Sequence, residues 1–344
     1  MNPILVEVLR GDAVESRHAG ALAVVDATGD VHTALGDIDR PVFPRSAVKL
    51  LQALPLVVSG AADAFDLNQK ELAIACASHS GEPEHAATAA GLLAKLGLDE
   101  GALECGPQWP TREPVLRAMA ARGETAGPLH NNCSGKHSGF LCVACLMARH
   151  AGAEPAEFAR GYVAADHPVM REVSAALSAA TGVDVEHAPR GTDGCSIPTF
   201  AVPLRALALA FARAGTGHGL PETHARAARR LRAAVAAEPF MVGGTDTFDT
   251  RVMRSLGERL FCKVGAEGVY CAALPELGLG VALKIDDGAA RAAETAMATI
   301  AMALLRSDDE VLRSYRHHVL RNRRNLEVGA LRPAEALNAI SAVR

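Results

Sequence analysis

The sequence predicts an α+β fold, with one antiparallel sheet drawn from both ends of the chain and a helical sub-domain in the middle. Three observations carry that prediction. Short β-rich runs separated by glycine turns open the chain. From about residue 46 to 240 the pattern is mostly helical. Glycine- and proline-punctuated β-rich runs then return, followed by one long helix. The simplest packing joins the terminal strands into one sheet covered by that last helix.

The elements follow in order. Leu5 to Leu9, Ala21 to Asp26 and Val31 to Leu35 read as an antiparallel meander. A helix is expected from about Ser46 to Val58, closed by Ser59-Gly60. Further helices are expected over Leu67 to Ala77, Pro83 to Leu96, Pro114 to Arg122, Lys136 to His150, and near 155–165, 168–181 and 221–237. Arg259 to Gly265, Gly268 to Ala273 and Gly280 to Ile285 read as strands, and Gly288 to Leu305 as the closing helix. No internal repeat or linker-like segment interrupts the chain, so residues 1–344 are expected to form a single domain. Within it, an α/β sub-domain would take about 1–45 and 240–344, and a helical one about 46–239.

Bulk properties narrow the partners. The hydrophobic fraction of 49% and charged fraction of 22% are ordinary for a globular chain. A net charge of −4 with no long single-sign run argues against nucleic acid or an anionic membrane as partner. The first residues lack a basic segment, and Glu7 interrupts their apolar run, so no signal peptide is expected. No apolar stretch approaches the roughly 18 residues needed to span a bilayer. A cytoplasmic location is the expectation, with the eight cysteines as thiols or metal ligands.

One compositional bias is informative. Of the 35 basic residues only six are lysine: Lys49, Lys70, Lys95, Lys136, Lys263 and Lys284. Arginine keeps its proton in a protein, whereas lysine can lose it. The lysines are therefore enriched for positions needing a neutral amine, with Lys70 and Lys95 reading as surface residues.

Four segments carry chemistry. Phe43-Pro44-Arg45-Ser46-Ala47-Val48-Lys49 holds an S-x-x-K, in which a lysine amine can take the proton of a serine hydroxyl. Placed at a helix N-terminus, Ser46 would gain from free N–H groups and the helix dipole. Lys263-Val264-Gly265 on a strand, with an upstream S-x-x-K, is the layout of serine β-lactamases and penicillin-binding proteins. Strand alternation would turn Cys262 and Val264 into the core and Lys263 the other way. Ser78-His79-Ser80-Gly81-Glu82 ends a helix and offers another serine. His130 to Gly139 opens a buried helix with Cys133, Lys136 and His137; with the distant Cys195 it suggests a zinc site. Spacing alone leaves His130 or His137 as the nitrogen ligand. Cys142-Val143-Ala144-Cys145 lies in an apolar helix without a second pair and reads as core.

These segments, together with Asp193-Gly194-Cys195-Ser196-Ile197-Pro198, resemble in order the rhizobial-type L-asparaginases of the asparaginase II family, from Val8 to about Val328. The resemblance implies a serine-β-lactamase/glutaminase-like fold, a homodimer, and hydrolysis of L-asparagine to L-aspartate and ammonia. It implies two Ser–Lys pairs, Ser46 with Lys49 and Ser78 with Lys263. Arg45, His137 and Asp193 match positions near the substrate. Cys133, Lys136 and Cys195 match the ligands of one zinc per chain, with water in the fourth position. A glutaminase, a penicillin-recognising hydrolase or a non-enzymatic metal- or amino-acid-binding protein on the same scaffold are the alternatives. Where the family carries a Gly-Arg pair, this chain has Asp246-Thr247.

Overall fold

The computed structural model describes residues 1–340. The chain forms two compact units: Met1–Ala47 with Val202–Thr216 and Cys262–Arg344, and Val48–Ala201 with Gly217–Phe261.

The first unit is built on an antiparallel sheet of eight strands. Its order is His318–Arg321, Glu327–Pro333, Ile4–Arg10, Ala13–Asp26, Leu279–Ile285, Val269–Leu274 and Phe261–Val264, with Val31–Leu35 also paired to Ala13–Asp26. Both chain ends contribute, as the β-rich runs predict. The register pairs Val6 with Pro333 and Val24 with Val281. Ala21, Leu22, Ala23, Val24 and Val25 are all buried, so this stretch has no solvent face. The Ala290–Leu305 helix packs against Ile4–Arg10, Val269–Leu274, Leu279–Ile285 and Glu327–Pro333, the cover expected of it.

A second helix, Leu204–Thr216, packs on Ala13–Asp26, Val269–Leu274 and Leu279–Ile285. It lies within the segment expected to belong to the helical middle, yet it groups with the sheet. Its Leu/Ala-rich surface is buried along most of its length, and Arg205, Leu209, Arg213 and Thr216 make only a narrow outer face to mark it in the sequence. The approach is close: a Cβ on Gly280 would lie 1.9 Å from the Ala208 carbonyl oxygen. The two C-terminal strands are a further difference from the sequence reading. His318–Arg321 is basic and largely exposed, so it carries no apolar alternation.

The second unit is mostly helical. The Ser134–Ala151 helix is buried continuously from Ser134 to Leu146. Gly135 lets it approach the Gln69–Ala75 helix, since a Cβ there would lie 2.4 Å from the Ile74 carbonyl oxygen. Gly139, one turn on, faces the Ala75 methyl at 3.3 Å. These two glycines set Ala77 to His79 beside Asn132 to His137. The expected helix from Ser46 to Val58 is divided instead. A 3-10 turn, Arg45–Val48, precedes two short helices, Lys49–Gln52 and Leu54–Val58. Pro55 lacks the amide hydrogen that would continue one long helix. Among the described residues, no helix is long and apolar enough to cross a membrane.

Candidate active site

Three of the six lysines are fully buried, with exposures of 0% for Lys49, 1% for Lys136 and 0% for Lys263. Lysines are almost never buried without a partner that uses the amine. These three are the ones that the sequence motifs single out. Lys70 pairs with Glu84 at the surface, whereas Lys95 reaches the buried Glu71 carboxylate at 2.7 Å and caps the Asp66 carbonyl. Lys95 is therefore more than a surface leftover.

The Ser46 turn has a defined seat in its own unit. Arg45 adopts φ of 51°, the left-handed region, and Ala47 N donates to the Pro44 carbonyl at 3.1 Å. The turn lies against the strand bearing Lys263. A Cβ on Gly265 would stand 2.5 Å from the Pro44 oxygen and 3.3 Å from the Ala47 methyl. Here the glycine of K-x-G admits the Ser46 turn. Lys263 is buried like its neighbour Cys262, which corrects the alternation reading, and its Nζ donates to the Val264 carbonyl at 3.0 Å. The dipole expectation is also corrected: Ser46 sits in a 3-10 turn before a helix of four residues, too short for a substantial macrodipole.

Lys49 lies in the other unit and joins two of its segments. Its Nζ donates to the Ala77 carbonyl at 2.5 Å and the Asn132 carbonyl at 3.3 Å. Ser78 follows Ala77; its backbone N–H donates to Val242 O at 2.9 Å, and its Oγ is buried with no hydrogen-bond partner among the described residues. His79 accepts from Gly81 N at Nδ1, 3.2 Å away, so its Nε2–H donates to Ser134 Oγ at 2.9 Å. Burial, then the charge of His85 and of Lys49, holds His79 well below the ordinary histidine range. His79 stacks on His85 at 4.7 Å, and His85 on Phe240 at 4.6 Å. The structure thus makes His79 a packed structural ring.

The next turn is tied down by a residue the sequence reading left unassigned. The Glu82 carboxylate accepts from Ser80 Oγ at 2.7 Å, Thr245 N at 2.7 Å and Thr245 Oγ1 at 2.8 Å. This binds the Gly243–Thr247 loop to the Ser78–Glu82 turn. Gly244, at φ 102°, could carry no side chain, since a Cβ would lie 1.9 Å from Ser80 Oγ. In the Asp246-Thr247 pair, Asp246 takes the left-handed conformation and Thr247 caps the Phe248–Leu256 helix.

Cys133, Lys136 and Cys195 converge. Lys136 Nζ lies 3.0 Å from Cys195 Sγ, and Cys195 hydrogen-bonds Cys133. That bond, followed by the Lys136 and Lys49 charges, depresses the Cys133 thiol against the effect of burial. The same bond, with burial, pushes Cys195 up. Burial works against the Lys136 ammonium, but Cys133, Cys195 and Asp193 outweigh it and raise the lysine. Among the described residues no three His, Cys, Asp or Glu side chains form a metal cluster. The third donor here is lysine, and two buried sulfurs with one nitrogen would suit a zinc ion once the lysine gives up its proton. Asn131 supports the group by accepting Cys133 N at 2.8 Å and donating to Cys105 O and Gly106 O at 3.0 Å each. His130 accepts Gly127 N at its Nδ1, 3.3 Å away.

Asp193 accepts from Gly194 N at 2.7 Å, and its carbonyl accepts from Ser196 N, closing the turn that presents Cys195. His137 is fully buried; its Nδ1 is 2.6 Å from Tyr162 Oη, and its Nε2 has no partner among the described residues. Burial, then Lys136 and Lys49, keeps His137 well below the ordinary range and neutral. Tyr162 is absent from the sequence-level site, although tyrosine is scarcer than lysine here, with only three in the chain. Cys142 and Cys145 are buried in the helix interior, as expected of core residues.

The sequence model of the L-asparaginase II family matches residues 6–333. The chain belongs to that family, a family of amidohydrolases. No curated protein matches it. Among solved structures, it is similar to that of a protein named Mglu, at 16% identity and a TM-score of 0.35, covering 80% of this chain and 64% of that one. A second Mglu structure, in its tris and glutamate form, gives 15% identity and a TM-score of 0.34, covering 85% and 61%. A β-lactamase from Mycobacterium bovis gives 14% and 0.31, covering 80% and 89%. The chain thus spans less than two thirds of the length of the Mglu chains.

Proposed function

We propose that the chain hydrolyses L-asparagine to L-aspartate and ammonia through a Ser–Lys acyl-enzyme. The observation that carries this is the hydrogen bonding of Lys49. A neutral amine has two hydrogens and one lone pair. The carbonyls of Ala77 and Asn132 hold the Lys49 amine in place, and Cys133 hydrogen-bonds it as well. In its neutral form the amine so held accepts the proton of Ser46 on its lone pair. Ser46 Oγ attacks the side-chain amide carbonyl of asparagine, and backbone N–H groups at Ser46 and near Ala266 hold the oxyanion. Ser78 and Lys263, the second pair, pass a proton to the departing ammonia. Water then cleaves the β-aspartyl ester and restores Ser46. Arg45 receives the substrate α-carboxylate, and Asp193 its α-amine.

Cys133, Lys136 and Cys195 would hold one zinc, whose chemistry here is to fasten the start of the Ser134–Ala151 helix to the Cys195 turn. Lys136 must surrender its proton to bind, which the thiolate of Cys133 otherwise opposes. Elemental analysis of the purified protein is expected to find about one zinc per chain, and Cys195→Ser to lose it. A zinc-free, fully active protein would reduce the cluster to packing. The working form is a homodimer in the cytoplasm.

The test is ammonia release across asparagine and glutamine, with hydrolysis of a chromogenic β-lactam alongside. Asparagine is expected to be turned over fastest. Ser46→Ala should lower kcat by about 10⁴-fold or more while the thermal midpoint stays near that of the parent. Near-full activity in Ser46→Ala would remove the nucleophile assignment, and β-lactam turnover alone would remove the substrate.

A further inference from the structure

His137 carries an unusual imbalance of hydrogen bonds. The ring is fully buried, and one nitrogen has no partner among the described residues. The other lies 2.6 Å from Tyr162 Oη. Which of these two atoms holds the hydrogen between them can be settled by accounting. Tyr162 is itself fully buried, and its oxygen already accepts the Glu104 N–H at 3.0 Å. Glu104 is fixed in turn, because its carboxylate accepts Gly161 N at 2.7 Å, one residue before the tyrosine. The phenol has one hydrogen to give, and His137 Nδ1 is its acceptor among the described residues. Any state with a hydrogen on Nδ1 would strand the phenolic hydrogen in the interior, a costly arrangement. The phenol therefore donates to Nδ1, and the ring hydrogen resides on Nε2, the unpartnered atom.

We propose that Tyr162 is a positioning residue that locks His137 in the Nε2–H tautomer, so that His137 serves the substrate as a fixed hydrogen-bond donor to a carboxylate or amide oxygen. Its only ring lone pair is occupied by the tyrosine, so His137 does not act as a base. A buried donor left without an acceptor is seldom tolerated unless something else supplies one. The ligand this donor selects is one that presents oxygen there; an ammonium or amide NH₂ in the same place would meet a hydrogen. The substrate part of this inference rests on the amide-hydrolase reading, whereas the tautomer does not.

The experiment has a spectroscopic arm and a kinetic arm. In long-range ¹H–¹⁵N spectra of histidine-labelled protein, assigned by loss of one ring in His137→Gln, the His137 Nδ1 is expected to resonate as a bare nitrogen and Nε2 as a protonated one. Tyr162→Phe should move Nδ1 toward the protonated position. In kinetics, Tyr162→Phe should raise KM for asparagine about tenfold. In a His137→Gln background, where the amide NH₂ donates without needing a tautomer lock, the same change should matter less than about twofold. A protonated Nδ1 in the parent protein overturns the proposal. An equal cost of Tyr162→Phe in both backgrounds also overturns it, since that would mark a purely structural tyrosine. If no amide is hydrolysed at all, the amide-hydrolase reading fails while the spectra still decide the tautomer.

Discussion

Lys49→Met and Lys49→Arg are both expected to abolish ammonia release, each lowering kcat by about 10⁴-fold or more. The pair of substitutions separates two ways a buried lysine can serve a serine. If the amine acts as a positive charge near the oxyanion, arginine should retain much of the rate. If it acts as a proton acceptor, arginine is useless, because a guanidinium does not deprotonate in a protein. The carbonyls of Ala77 and Asn132 fix the position of the amine, which either role requires, so the arginine variant decides between the two. Methionine is close to lysine in volume and suits an apolar pocket, so Lys49→Met should fold. Circular dichroism and the thermal midpoint check that point. Substantial activity in Lys49→Arg would overturn the general-base role.

The second large effect is a loss of stability in mild acid. His79, His85 and His137 are buried and held below the ordinary histidine range, in each case chiefly by burial. An unfolded chain takes up protons on these rings as pH falls below about 6.5, while the folded chain does not. The unfolded state then binds more protons, so the free energy of unfolding falls as pH falls. Each ring contributes up to about 1.4 kcal/mol per pH unit, and the three together up to about 4. The carboxylates held low in the fold, such as Glu82 with its Thr245 and Ser80 donors, act in the same direction at lower pH. Urea midpoints measured from pH 8 to pH 5 should fall steeply below about 6.5. His85→Gln should lessen the slope by about one proton. A midpoint that stays flat between pH 7 and pH 5 would mean the rings are charged in the fold.

The architecture could be read from the sequence where short β-rich runs lay between turn residues, even though several of these strands are buried on both faces. The strands near Leu5, Ala21, Val269 and Leu279 announced themselves by β-branched runs between glycines. The Leu204–Thr216 helix did not, because it is apolar on nearly every side. The His318–Arg321 strand did not, because it is only four residues long and largely exposed, with its two apolar side chains adjacent rather than alternating. Among the site residues, rarity was the useful signal: six lysines, of which the three buried ones are Lys49, Lys136 and Lys263. The supporting residues were illegible for another reason. Glu82, Asn131 and Tyr162 matter through contacts to Thr245, Cys105 and His137, which are distant in the chain and visible only once it has folded. Alternation misled at Lys263, since a strand lysine pointing away from the core need not point into water.

The pairing of Ile4–Arg10 with Glu327–Pro333 has a consequence for the order of events during synthesis. A ribosome releases the first three strands long before their partners. Ala13–Asp26 must also wait, for Leu279–Ile285. At translation speeds of about 5–20 residues per second, that interval is roughly 15–60 seconds. Throughout it the nascent hairpin exposes two hydrogen-bonding edges and the apolar run Ala21 to Val25, a template for pairing with another nascent chain. The vulnerable period of this protein is thus its birth rather than its working life, and the chaperone demand should track elongation rate. Slow codons placed after the first forty residues would lengthen the exposure, whereas slow codons after residue 285 would give the sheet time to close.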